Sequence, residues 1–229
     1  MFFSFSYNNP YIAIIGDIKK SKKFADRKSV QTELKKTLNT INEKYSENIS
    51  AKFMITLGDE FQGLLCHGIN AMNIIEEIQR EMYPVEIRFG LGGGSITTDI
   101  NSEMAIGADG PGYYKARQAI EFLKENEQKN KTYTSDIRIE VDCDNEATTI
   151  MLNAILSLLA VIKNNWTDRQ REIIWDTMKN KDGQAKSAER LNIEQSSVQR
   201  GLNNGHFYAY KDATDIISNA LKELRRKDV

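Results

Sequence analysis

The sequence predicts an α+β protein, a ferredoxin-like βαββαβ unit followed by an all-helical tail. Three observations predict it. Short β-type runs alternate with amphipathic helical patterns through roughly the first 145 residues, strand signals then disappear, and the last 65 or so residues read as successive helices. The domain boundary is accordingly drawn at residues 1–145 and 146–229.

Each element has its own signal. Tyr11 to Ile15 is a short apolar run ending at Gly16-Asp17, as expected of a strand buried on both faces. Val30, Leu34, Leu38, Ile41 and Tyr45 recur at steps of four and three, which predicts an amphipathic helix. Lys52 to Leu57 and Phe61 to Leu65 are joined tightly through Gly58, Asp59 and Glu60 and read as a hairpin. Met72, Ile75, Ile78 and Met82 outline a second helix that stops before Pro84. Val85 to Leu91 is a further strand. Gly92-Gly93-Gly94 after it reads as a sharp exit from that strand rather than as a phosphate loop, since no Lys-Ser/Thr follows. Gly112 to Glu125 predicts a third helix, Glu125 to Ser135 an exposed loop, and Ile137 to Val141 a last strand.

The chain has 229 residues, 31 Lys plus Arg against 32 Asp plus Glu, and 40% hydrophobic residues. Those proportions exclude a disordered chain. Ile150 to Ile162 is the longest nearly uninterrupted apolar stretch, but it contains Asn153 and Ser157 and is shorter than the roughly 18 to 20 residues of a membrane span. It reads as a buried helix bridging into the tail, and no membrane partner is expected. Met1-Phe2-Phe3-Ser4 lacks the basic start and cleavage site of a signal peptide, so a cytoplasmic location is expected. Cys66 and Cys143 have no paired spacing and read as buried thiols.

In the tail, Thr167 is placed to cap a helix holding Ile173, Ile174 and Met178. Ala185 to Leu191, a turn at Asn192-Ile193-Glu194 and a helix from Gln195 to Leu202 have the spacing of a helix-turn-helix. Its last helix would present Ser196, Ser197, Gln199, Arg200 and Asn203 to DNA, and the alternative is a small helical domain that docks on the sheet or on a partner. Splitting the near-zero charge at Asn165 gives −3 before it and +2 after it, with Lys222, Arg225, Arg226 and Lys227 clustered at the end. So modest an excess implies weak binding by one copy and a homodimer for specific affinity.

Asp17 and Asp59 stand at two strand ends that this topology can make neighbours. Two converging carboxylates beside a turn suit Mg²⁺ or Mn²⁺, while the simpler reading is a cap and a turn residue. Ile14-Ile15-Gly16-Asp17-Ile18-Lys19-Lys20-Ser21 resembles the first metal-binding motif of class III nucleotide cyclases. Ile55-Thr56-Leu57-Gly58-Asp59-Glu60-Phe61 resembles their hairpin and is similar to the GGDEF signature of diguanylate cyclases. Arg88 to Gly94 and Gly110 to Arg117 resemble the cyclase strand and arginine-bearing helix that follow. The whole order, ending in a helix-turn-helix similar to those of many bacterial regulators, resembles the SatD family.

The cyclase resemblance implies Asp17 and Asp59 as metal ligands, Gly58 and Lys19 as nucleotide contacts, Arg117 as the transition-state cation, a nucleoside triphosphate as ligand, and head-to-tail dimers. Two departures from the cyclase pattern weigh against turnover: Ile55 stands where a purine-reading lysine is expected, and Tyr113 where a ribose-positioning asparagine is expected. The leading expectation is therefore a regulator with a degenerate metal-nucleotide domain coupled to a DNA-binding tail. An active nucleotidyl cyclase with a regulatory tail and a non-catalytic scaffold are the alternatives.

Overall fold

The computed structural model describes residues 10–129, 135–141 and 146–223. Five strands, β1 (Tyr11–Ile18), β2 (Ile49–Leu57), β3 (Glu60–Leu65), β4 (Ile87–Gly94) and β5 (Ile137–Val141), form one sheet in the order β2-β3-β1-β4-β5. The first four pair antiparallel and β5 runs parallel to β4. Helices α1 (Arg27–Lys44) and α2 (Ala71–Glu81) complete the βαββαβ unit, and α3 (Pro111–Lys129) is the crossover between β4 and β5. Alternation along β1 divides the core. Ile12 and Ile14 pack with Leu34, Leu38 and Ile75 of α1 and α2, while Ala13 and Ile15 meet Tyr113, Ala116 and Ile120 of α3. The sheet is thus covered on both faces, which accounts for the continuous apolar run of its central strand.

Several features differ from the sequence expectation. β1 continues through Ile18, so Asp17 lies inside the strand rather than after it. The third helix runs on to Lys129, absorbing charged residues assigned to a loop, because Lys124 and Glu127 have ion-pair partners on the sheet. The glycine run belongs to β4 and is not an exit from it. A Cβ on Gly92 would stand 1.9 Å from the Gly112 carbonyl oxygen and 2.3 Å from the Ala116 nitrogen, so these glycines let α3 lie directly on the strand. The apolar helix α4 (Glu146–Asn164) is only half buried. Leu152, Leu156, Leu159 and Ala160 are covered, whereas Ile150 and Leu158 are 60% and 66% exposed. By length and composition alone, α4 is long and apolar enough to cross a membrane, a test that the core helix of a globular protein also passes.

Asparagine side chains finish two stretches of sheet backbone. Asn42 of α1 bonds the Phe53 nitrogen and carbonyl at 2.7 and 2.9 Å, next to a register shift in β2. Asn153, which interrupts the apolar run of α4, does the same for Ile139 of β5 at 2.9 and 2.8 Å. Each amide supplies the donor and acceptor that a missing neighbouring strand would have supplied.

The tail comprises α5 (Asp168–Asn180), α6 (Gln184–Leu191), α7 (Gln195–Asn204) and α8 (Phe207–Glu223). Thr167 caps α5 in a reciprocal capping box with Gln170, and Asn192 ends α6 in the left-handed conformation that the turn requires. Ile173, Ile174, Val198 and Leu202 join these helices, and the Trp166 indole donates to the Gly205 carbonyl at 2.7 Å. Ile217, Ala220 and Leu221 of α8 continue the core that α2 begins. Cys66 is a half-buried free thiol, and Cys143 and Arg225 to Lys227 lie outside the described residues.

Candidate functional site

Register brings the predicted carboxylates to one end of the sheet. Asp17 lies opposite Glu60 of β3 and Arg88 of β4, and the Ile18 nitrogen donates to the Asp59 carbonyl at 3.1 Å. Gly58, at φ +60°, makes the hairpin turn that presents Asp59, and its carbonyl accepts from Gln31 of α1. The Asp59 carboxylate accepts a hydrogen bond from the Ser21 hydroxyl.

Asp17 is buried, and both its oxygens are already matched. Oδ2 is 2.6 Å from Arg88 Nη1 and Oδ1 is 2.7 Å from Lys124 Nζ. Arg88 also meets Glu127 with its other nitrogens, the Nε to Oε1 distance being 3.0 Å. Glu127 in turn lies 3.0 Å from Lys19 Nζ, which donates to Asp136. Asp136 approaches Lys163 of α4 at 3.9 Å, and Lys163 donates to Gln79 of α2 at 2.9 Å. Burial alone would raise the Glu127 carboxyl, but Arg88 and Lys19 outweigh it and hold its pKa below the usual range. Burial likewise disfavours the Lys19 ammonium, yet Asp136 and Glu127 reverse the effect and raise its pKa.

This arrangement bears on each predicted residue. Asp17 and Asp59 are adjacent, but a divalent cation on Asp17 would stand beside Arg88 and would have to displace Lys124. No group of three or more His, Cys, Asp or Glu able to hold a metal occurs among the described residues. As arranged, the donors do not fit Mg²⁺ or Mn²⁺. Lys19 is committed to Glu127 and Asp136. Arg117 is half exposed on α3, with Nη1 3.7 Å from Glu60 Oε1. Tyr113 of α3 is buried in the core between that helix and the sheet, its hydroxyl has no hydrogen-bond partner among the described residues, and burial pushes its pKa up. Neither Tyr113 nor the apolar Ile55 supplies the polar group expected for a nucleoside.

Arg88, Lys124, Glu127, Asp136 and Lys163 escaped sequence reasoning. The one available signal was Arg88 itself, a cation between apolar neighbours in a strand that would pair with the strand of Asp17. In the tail, Ser196, Gln199, Arg200 and Asn203 are exposed on α7 and Ser197 is half buried. Arg200 folds back to the Ser196 carbonyl at 3.3 Å and the Ser197 hydroxyl at 3.2 Å.

Several solved structures are similar to parts of this chain. The guanylate cyclase domain of RhGC from Catenaria anguillulae in complex with GTP is 16% identical, with 62% of this chain and 82% of that one covered, at a TM-score of 0.40. A bacterial light-regulated adenylyl cyclase is 13% identical, with 71% and 83% covered, at 0.43. A regulator of polyketide synthase expression from Bifidobacterium adolescentis is 11% identical, with 93% and 86% covered, at 0.27. Comparison with curated proteins finds no match. A family model matches residues 11–217, from the first strand into the last helix, and this chain belongs to the SatD family.

Proposed function

We propose that this protein is a cytoplasmic, dimeric regulator. In this reading residues 1–145 bind a nucleoside triphosphate without cyclising it, and residues 146–229 bind DNA through α7. The observation that carries the reading is the run of charged side chains from Asp17 through Arg88, Glu127, Lys19 and Asp136 to Lys163 on α4. It joins the strand-end site to the helix that leads into the tail. Buried charges of this number are costly in a purely structural core, which favours a functional role.

Lys124 and Arg117, with side chains 40% and 52% exposed, stand at the solvent side of the site as partners for phosphate. A phosphate that draws Lys124 away would leave Asp17 to Arg88 alone. The altered pull on Glu127 and Lys19 would then reach Asp136 and α4. No metal enters this account. Without a lysine at Ile55 or an asparagine at Tyr113, it contains no ribose activation and no product.

Thermal denaturation with ATP, GTP, CTP or UTP tests the nucleotide half. At a hundredfold excess over Kd, binding stabilises by about 2.7 kcal/mol, a rise in Tm of several degrees. The rise is expected in EDTA and is expected to vanish in Lys124→Ala/Arg117→Ala. No rise with any nucleotide, with or without Mg²⁺, contradicts the reading. A rise that requires Mg²⁺ and is lost in Asp17→Asn restores the metal-centred alternative.

A further inference from the structure

The outer side of α4 carries an apolar row that the described residues leave open. Ala147, Met151, Ala154, Leu158 and Val161 follow one another at steps of four, three, four and three, and all are exposed. Met151 is 52% exposed, Leu158 66%, Val161 49%, and the flanking Ile150 60%. Alternating fours and threes give a period of 3.5, the narrow seam by which one helix pairs with another at a shallow angle. No charged residue occurs from Ala147 to Ile162, so nothing along the row is built to face water.

We propose that this row is a homodimer seam, filled by α4 of a second copy running antiparallel. It specifies the dimer of the preceding section and rests on that reading only there, because nucleotide and DNA binding are measured independently of it. Size complementarity selects the orientation. With the two-fold axis between Ala154 and Leu158, each Leu158 lies over the partner's Ala154 and each Met151 over the partner's Val161. A parallel pair would set leucine on leucine and alanine on alanine, alternating a clash with a void.

Area points the same way. The four large side chains leave on the order of 400 Å² of contiguous apolar surface, within the range where the largest patch on a monomer is often functional. Two copies, with the adjoining Ala147, Ala154 and Ser157, would cover about 1,000 Å² in total, near the threshold for a specific interface. A lipid surface is the competing occupant, given the hydropathy of α4. It would call for lysine or arginine beside the apolar row, and that uncharged stretch has none.

Sedimentation equilibrium of the full chain is expected to show a dimer, and Leu158→Glu is expected to weaken it by at least about tenfold. Because Leu158 faces solvent, circular dichroism should be unchanged. Disulfide trapping in a Cys66→Ser/Cys143→Ser background reads the orientation even if the charged variant misfolds. A mixture of Met151→Cys and Val161→Cys chains should give the mixed disulfide, and neither should cross-link alone. A monomeric parent, a dimer indifferent to Leu158→Glu, or self-linked Met151→Cys would overturn the proposal. So would flotation with phosphatidylglycerol vesicles that Leu158→Glu abolishes.

Discussion

Arg88 and Arg190 each stand between two carboxylates, but in different media. Arg190 clasps Asp176 of α5 and Asp182 of the following turn, with contacts of 2.6 to 2.9 Å, and its side chain is 35% exposed. Arg88 clasps Asp17 and Glu127 with a side chain only 12% exposed. The exposed clasp pins a turn, and water is ready to solvate whichever partner is released. The buried one has no such substitute, so Asp17, Glu127, Lys19 and Asp136 depend on one another. The same chemistry thus shapes a turn in the tail and holds a charged site in the sheet.

Arg88→Met is the strongest way to break that contrast. It takes from Asp17 and Glu127 the cation they share and leaves each with a single lysine in a buried site, which costs about 3 kcal/mol, and differential scanning calorimetry should show Tm lowered by about 10 °C. Gly92→Ala reaches the same site without touching a charge. By lifting α3 from β4 it separates Lys124 from Asp17 and Glu127 from Arg88, and chemical denaturation should report a loss of about 3 kcal/mol.

Glu76 of α2 sharpens the comparison, since it is a half-buried residue whose enclosed carboxyl is bonded by the Tyr210 hydroxyl rather than clasped by an arginine. Burial raises its pKa from 4.5 to about 7 against the opposing pull of Tyr210 and Lys163, and its Oε1 has no hydrogen-bond partner among the described residues. The folded state therefore holds a proton that the unfolded chain gives up. The resulting stability is complete below about pH 4.5 and is lost as pH rises through about 7. Tm should fall by several degrees between those values, and Glu76→Gln should flatten the profile. The smallest effect belongs to Arg190→Ala, for which a Tm change of no more than a few degrees is expected, shrinking further in high salt.

The sequence and the fold correspond closely where periodicity governs. The βαββαβ order, the Thr167 cap and the turn at Asn192 all follow from local patterns. Asp17 and Asp59 were legible as neighbours for the same reason, since strand order brings their ends together. Their partners were not. Lys124 and Glu127 sit in the last turns of α3, and nothing local distinguishes them from solvated helix charges. Asp136 precedes a strand, and Lys163 ends an apolar helix like any terminal lysine. Only the crossing of α3 and α4 over the sheet gives them partners. The glycines of β4 misled for a related reason, because a close helix crossing and a strand exit both remove the side chain.

The central claim is that a ligand at Asp17 reaches DNA through this run of charges, and linkage tests it directly. The measurement is fluorescence anisotropy of a random-sequence DNA duplex pool titrated with the full chain, with and without saturating nucleoside triphosphate. A change in DNA affinity of about fivefold or more is predicted, with Glu127→Gln removing the change while nucleotide still binds. DNA affinity that is identical with and without bound nucleotide would contradict the account.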